Sequence, residues 1–423
     1  MNLFARHVSF GVMGMLAGVV FIGSGILGLA VSGGCGESTS QTLDNALTLY
    51  YENNLDEALP IFERLAREQP DNAPVHAWLA ETYRRMGQKD KAIEAAEKAL
   101  MTDACNAFAL TVIADAVNPL LGEWEMANAE RTWRSLNEAV RCDSLDGNAW
   151  LGVWGEALHR GDVATMRVAE QKLIDIGFFT DAILAYSRWT LRGLPQDAIL
   201  ITNGDMDTYP PYALQKVKDV RPDVVIVNRG LLTKNWYARY LRDHERLSMP
   251  LDDVALEEFI AAKDAQGNIV TLSDVIFARW IDQAKAGTLG RPIAIASTVD
   301  GSYYANEREH LVNAGAFLLW SPATNPTPDL EAMQKGLAGV RPEDFAGPWA
   351  SGQDRSPIRT MYTKDIVRNV TATALTLAES LVREGKLERA RTLVDWAAKL
   401  ERISEASPAF TERIADLRKD VGG

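Results

Sequence analysis

Two carboxylates stand one residue apart in the run Asn203-Gly204-Asp205-Met206-Asp207-Thr208, directly after a short apolar stretch. Hard oxygen donors at that spacing suit Mg2+ or Mn2+, so Asp205 and Asp207 are the candidate metal ligands. The same residues also read as a turn followed by a helix cap, because Asp accepts backbone N–H groups at such places. Other apolar runs of this region end in Asn228-Arg229 and in Ser297-Thr298, with Asp300 close behind. Asn203, Asp205, Asp207, Thr208, Asn228, Arg229, Ser297, Thr298 and Asp300 therefore form a candidate ligand-binding set, and no residue is assigned a catalytic role. Tyr303-Tyr304 and Trp236-Tyr237 offer rings on which a sugar could stack, with core packing as the alternative. His7, His76, His159, His244 and His310 stand singly, and the sequence holds no His-Glu-x-x-His, Gly-x-Ser-x-Gly or Walker pattern.

The chain has three cysteines, too few for a disulfide scaffold and without zinc-ligand spacing. Cys35 follows a short start with one firm positive charge, Arg6, an apolar stretch Val8 to Val31, and small residues Ser32-Gly33-Gly34. That order predicts a secretory signal with lipid attachment on Cys35. It resembles a bacterial lipoprotein lipobox, departing from it at Ser32, where that motif prefers Leu. An uncleaved membrane anchor is the alternative, since about 20 apolar residues span a bilayer. Either places the rest of the chain outside the cytoplasm, in the cell envelope. Cys105 and Cys142 could pair in such an oxidising compartment. The other reading is two buried free thiols.

The polar residues need elements to position them. Ala198 to Thr202, Asp223 to Val227, Arg291 to Ala296 and Ala316 to Trp320 are continuous apolar runs, as in strands buried on both faces. Helical stretches at 211–220, 236–243 and 273–286 separate them, which predicts a parallel, Rossmann-like sheet. Ligands of such sheets bind beyond the carboxyl ends of the strands, where the candidate set falls. The helix after the first strand is expected to open at Asp207-Thr208-Tyr209, with Pro210 and Pro211 in its first turn. No Gly-rich phosphate loop follows that strand, which argues against a dinucleotide.

Upstream the chain repeats itself. Ala46 recurs as Ala80 and Ala58 as Ala92, both at an interval of 34 residues. Leu79, Ala80, Tyr83, Gly87, Ala92, Ala99 and Leu100 place small residues where two antiparallel helices touch and Gly at their turn. This spacing resembles the tetratricopeptide repeat, whose units stack and leave a groove for protein partners. A third unit opens at Asn106, lengthened by 118–122, and a fourth at Asn148. Near the C-terminus Leu377, Ala378, Gly385, Ala390 and Ala397 keep the same offsets. Trp78, Trp124, Trp133, Trp150 and Trp154 are expected mostly between helices, with some free to anchor a peptide.

The expected organisation is a signal or anchor at 1–35, a tether at 36–42, repeats at 43–180, an α/β domain at 181–325, a linker at 326–360 and a helical hairpin at 361–423. A net charge of −13 without a basic stripe repels phosphate backbones, so nucleic acid is set aside.

The run Leu194 to Pro210, with Asn203-Gly204-Asp205-Met206-Asp207-Thr208 at its centre, resembles the soluble C-terminal part of polytopic protein O-mannosyltransferase-like membrane proteins. The similarity continues through Arg221-Pro222-Asp223-Val224, Trp236-Tyr237, Ala314-Gly315-Ala316-Phe317 and Arg368-Asn369. Those proteins carry their catalytic apparatus in many membrane spans, whereas this sequence has one apolar segment. The resemblance thus implies a shared extracytoplasmic module near envelope glycan assembly and not the transferase activity. The expectation is a membrane-tethered scaffold whose repeats hold a protein, such as a polytopic membrane glycosyltransferase or envelope complex, and whose α/β domain binds partner or glycan. The alternative is a sugar-handling transferase or hydrolase using Asp205 and Asp207 with Mg2+ or Mn2+.

Overall fold

A computed structural model describes residues 39–118, 126–265, 267–345, 357–403 and 408–422. Cys35 and its apolar leader, residues 36–38 of the tether, 119–125 with Trp124, and 346–356 lie outside the described residues, while 39–42 of the expected tether begin the first helix. No helix among the described residues is long and apolar enough to cross a membrane. The chain divides into two compact units. One comprises the described residues through Ala157 with Ala164–Ile176; the other comprises Leu158–Val163 and everything from Gly177 on.

The first unit is built of helical pairs: α1 (Thr39–Tyr51) with α2 (Leu55–Glu68), α3 (Ala73–Arg85) with α4 (Lys89–Thr102), and α5 (Ala107–Val117) with α6 (Met126–Cys142). Most of α7 (Gly147–Arg160) and α8 (Val163–Asp175) complete it. Ala46, Ala58, Ala80, Ala92 and Ala99 have no exposed surface. A larger side chain there would force the helix axes apart. Gly87, at φ +73°, closes the α3–α4 turn in a conformation that favours glycine. Successive pairs begin with an equivalent cap: Asn72 accepts from the Val75 N–H, Asn106 from Ala109 and Asp146 from Ala149. Cys105 and Cys142 are disulfide-bonded, their Cα atoms 5.2 Å apart. Cys105 is exposed and Cys142 half-buried, so neither is buried as the free-thiol alternative required.

The second unit centres on a sheet of order β2-β1-β5-β7-β6: β1 (Ile199–Thr202), β2 (Val225–Asn228), β5 (Ile293–Ala296), β6 (Leu311–Asn313) and β7 (Phe317–Trp320). β3 (Ala262–Lys263) and β4 (Ile269–Val270) form a separate small ribbon. β1, β2 and β5 are fully buried, which explains their unbroken apolar runs. β1 pairs in parallel with both β2 and β5. β7 runs antiparallel to β5 and to β6, so the sheet is mixed and the all-parallel expectation is corrected. A parallel neighbour needs a crossover of a dozen or more residues, usually a helix. Between β5 and β7 there is β6 and one 3-10 segment (Ala305–His310), and a hairpin through Gly315 at φ +93° brings β7 back beside β5.

Helices surround this sheet: α9 (Asp181–Gly193), α10 (Asp205–Lys218), α11 (Asn235–Asp243), α12 (Asp253–Glu257) and α13 (Leu272–Lys285). α10 begins at Asp205, two residues earlier than expected, so Pro210 and Pro211 lie in its second turn. The stretch read as a linker holds α14 (Leu330–Leu337), which packs on α9, and a buried Phe345. The C-terminal part is a hairpin of α15 (Pro357–Arg383) and α16 (Leu387–Ile403), extended by α17 (Pro408–Asp420). Ala378, Ala390 and Ala397 are buried in that hairpin, again at close helix approach.

Candidate functional site

Helix α10 follows β1, and its chain then returns as β2 on one side; beyond β5 the chain passes to the other side of the sheet. The carboxyl ends of β1 and β5 therefore flank the topological switch point, the place where open α/β sheets bind ligands. Asp207 stands across it. One of its oxygens accepts the Gly204 N–H at 2.8 Å. The other accepts the Asn203 N–H at 2.8 Å and the Thr298 hydroxyl. Asp207 is thus a helix-capping carboxylate that also ties the β1 end to the β5 end. Burial pushes its pKa up, partly countered by these donors.

Thr208 lies beneath. Its hydroxyl meets Thr202 at 2.6 Å, accepts Asn228 Nδ2 at 3.0 Å and bonds the Gly204 carbonyl. Asn228 in turn accepts the Leu231 N–H at 3.0 Å through Oδ1, fixing the turn after β2. Arg229 donates to Asn203 Oδ1 at 3.3 Å and lies over the Tyr303 ring at 4.8 Å. Ser297 is exposed; its hydroxyl sits 3.0 Å from that of Tyr186 on α9. Asn369 on α15 donates to both Ser297 and Tyr186. Asp300 turns away into a loop with Ser302, accepting its N–H at 2.9 Å.

The structure therefore joins Asn203, Asp207, Thr208, Asn228, Arg229 and Thr298 in one hydrogen-bonded network. Ser297 is tied to it through the chain at Thr298, and Asp300 is not tied to it by a described hydrogen bond. Tyr186 and Asn369 were missed as site residues. Only a polar residue amid the buried face of α9, and the Arg368-Asn369 pair on α15, marked them in the sequence.

Asp205 differs from its neighbour. It is half-buried at the first position of α10, hydrogen-bonded by Tyr209 and near the Asp207 charge. Desolvation raises its pKa to about 6, with the Asp207 charge adding to the rise. Asp207 has committed both oxygens, and among the described residues no three His, Cys, Asp or Glu side chains cluster as ligands. The turn-and-cap reading accounts for the hydrogen bonds of Asp207. Of the proposed stacking rings, Tyr237 is buried with its hydroxyl on the Asn228 N–H, and Tyr303 stacks on Phe277 at 4.8 Å.

The repeats carry a second surface. Tyr50 and Tyr51 of α1 meet Trp78 of α3 edge-on at 5.2 and 6.0 Å, and Trp78 meets Phe108 of α5 at 4.7 Å. Tyr51, Trp78 and Phe108 are half-buried, so the ladder leaves ring surface open along successive first helices. Beside it, buried Glu81 accepts Tyr50 Oη at 2.9 Å and a bidentate Arg84 at 2.6 and 2.7 Å. Arg85 lies over the Tyr50 ring at 4.9 Å. Trp154 is core, bonded to Glu170 at 2.9 Å, and Trp150 is held to the Ser144 carbonyl at 3.0 Å. Trp133 is half-buried and, with Leu110 of α5, lines a shallow groove along α6.

A family model described as tetratricopeptide repeat matches residues 49–109, and one described as TMEM260-associated domain 2 matches residues 184–286. No curated protein matches the chain. Among solved structures, a thermophilic TPR protein of Thermus thermophilus, TTC0263, is 18% identical over 52% of this chain and 95% of its own, with a TM-score of 0.32. The MamA protein is 15% identical over 54% of this chain and 100% of its own, with a TM-score of 0.29. A tetratricopeptide repeat protein from Parabacteroides merdae ATCC 43184 is 10% identical over 92% of this chain and 100% of its own, with a TM-score of 0.29. The chain carries tetratricopeptide repeats, a protein-interaction fold, together with a small mixed sheet.

Proposed function

We propose that this chain is an exported, membrane-tethered scaffold of the cell envelope. Its repeats hold a protein partner along the Tyr51–Trp78–Phe108 ladder, and its sheet-bearing unit binds that partner or a glycan at the β1/β5 crevice. The observation that carries the reading is the ladder itself. Three aromatic rings on successive first helices keep open surface, where interfaces concentrate binding energy. The exposed Cys105–Cys142 disulfide supports an oxidising compartment. The leader before Cys35 supports a tether. The match to the TMEM260-associated domain 2 over residues 184–286 spans the Leu194–Pro210 run that resembles O-mannosyltransferase-like proteins, and supports a partner in glycan assembly.

Tagged full-length protein is purified from its own envelope in mild detergent and the co-purifying proteins are identified by mass spectrometry. A polytopic membrane glycosyltransferase or one defined envelope complex is expected. A protein that elutes without stoichiometric company refutes the scaffold reading. For the crevice, Arg229→Ala should weaken capture of envelope glycan fragments at least ten-fold; unchanged capture removes the crevice from the account.

A further inference from the structure

The third helical pair differs from its neighbours at both ends. α1 and α2, like α3 and α4, are joined by three residues, with Asn53 (φ +64°) and Gly87 (φ +73°) in left-handed turns. α5 and α6 are joined by eight, residues 118–125. At its other end this pair is held by a cluster of Ala107, Leu110, Ala139 and Ala149, against which Leu100, Val140 and Cys142 pack. Alanines let backbones approach closely but each buries little apolar area. The middle of α5 belongs to the main core of the repeats through Ala109, Val112 and Ile113, so it is the ends of this pair that rest on the long connection and on this thin cluster. The disulfide sits at the thin end, joining the turn before α5 to the last residue of α6.

Its surroundings select what can reach it. Cys105 is exposed. Asp103 accepts the Cys105 N–H at 3.2 Å, and a Glu138 oxygen lies 4.0 Å from the Cys142 sulfur, with Glu138 itself paired to Arg141. Asp143 follows Cys142 directly. These carboxylates disfavour approach of small anionic thiols such as glutathione. Met101 and Leu145, four residues before Cys105 and three after Cys142, are 85% and 73% exposed. They offer apolar contact to a larger body.

We infer that Cys105–Cys142 is a clasp opened by thiol–disulfide exchange with a protein dithiol, and that opening it loosens α5 and α6 alone. A thiolate of the dithiol attacks the exposed Cys105 sulfur, forming a mixed disulfide and expelling the Cys142 thiolate, which takes a proton from water. The second thiol of the dithiol then displaces Cys105 as the dithiol closes to its own disulfide. Two electrons pass to this chain, which ends with two thiols. The inference goes beyond the scaffold reading and does not depend on it.

The test uses the full chain, purified with free thiols blocked, in two measurements. Hydrogen exchange is compared between the oxidised protein and protein reduced by a neutral phosphine. Residues 107–117 and 126–142 should exchange at least ten-fold faster after reduction, while 73–102 and the sheet strands stay unchanged. Reduction rates are then compared for thioredoxin and for glutathione at equal thiol concentration, with thioredoxin expected at least ten-fold faster. Free cysteines in the isolated protein, identical exchange in both states, exchange spread over both units, or glutathione matching thioredoxin would each overturn the inference. Because the reduced natural chain is measured directly, the result does not hang on whether Cys105→Ser folds.

Discussion

Asp205 and Asp207 are separated by one residue and do different work. Asp207 accepts two backbone N–H groups and the Thr298 hydroxyl. Asp207→Asn turns one acceptor into a donor facing donors, and should cost about 2–4 kcal/mol in urea unfolding of the sheet-bearing unit. Asp205 pays a desolvation cost when charged, and its folded pKa near 6 lies above the ordinary 3.8. The sign follows from linkage. A raised folded pKa gives stability that is fully present below about pH 4 and lost as pH rises through 6. Asp205→Asn should therefore be more stable than the natural chain at pH 7 by about 1–2 kcal/mol, with the advantage shrinking toward pH 4. Equal stability at both pH values would show that the carboxyl is not strained by burial. Tyr51 offers a similar test, because its buried hydroxyl has no hydrogen-bond partner among the described residues. Tyr51→Phe should leave the melting temperature unchanged or raise it, since an unsatisfied buried hydroxyl costs about 1–3 kcal/mol. A marked drop would mean that the hydroxyl is satisfied in solution. Most of this site was legible, since polar residues ending apolar runs mark strand carboxyl ends. Tyr186 and Asn369 were not, because α9 and α15 reach the crevice only through tertiary packing.

At the scale of elements, small residues fix the approaches. Gly336 on α14 would place a Cβ 2.3 Å from Trp189 Nε1, and Trp189 is buried. Gly336→Ala should therefore destabilise the sheet-bearing unit by about 1–3 kcal/mol, read as a lower urea midpoint at unchanged slope. No shift would mean that α14 lifts freely from α9. The sequence predicts a linker here, because the eight residues of α14 leave too short a pattern to register. The four long strands were legible from their unbroken apolar runs. The reversed direction of β7 was not, because direction depends on what connects the strands. The small β6 that supplies the hairpin has half-buried and exposed residues and no apolar run of note.

The whole molecule joins a repeat array of a protein-interaction fold to a sheet whose β1 and β5 ends are bridged by its own side chains. The 34-residue period gave the array away, since each pair must bury the same small residues at the same offsets. The sequence said less of the sheet-bearing unit, where α15 and α16 share the sheet's compact unit instead of standing as a separate hairpin. The scaffold account rests on the aromatic ladder, and one measurement tests it most directly. Full-length natural protein and the Trp78→Ala/Phe108→Ala variant are captured from detergent-solubilised envelope at matched amounts, with folding of both checked by circular dichroism. The account predicts that a stoichiometric envelope protein accompanies the natural chain and falls at least ten-fold with the folded variant. Equal recovery of that protein by both chains would contradict it.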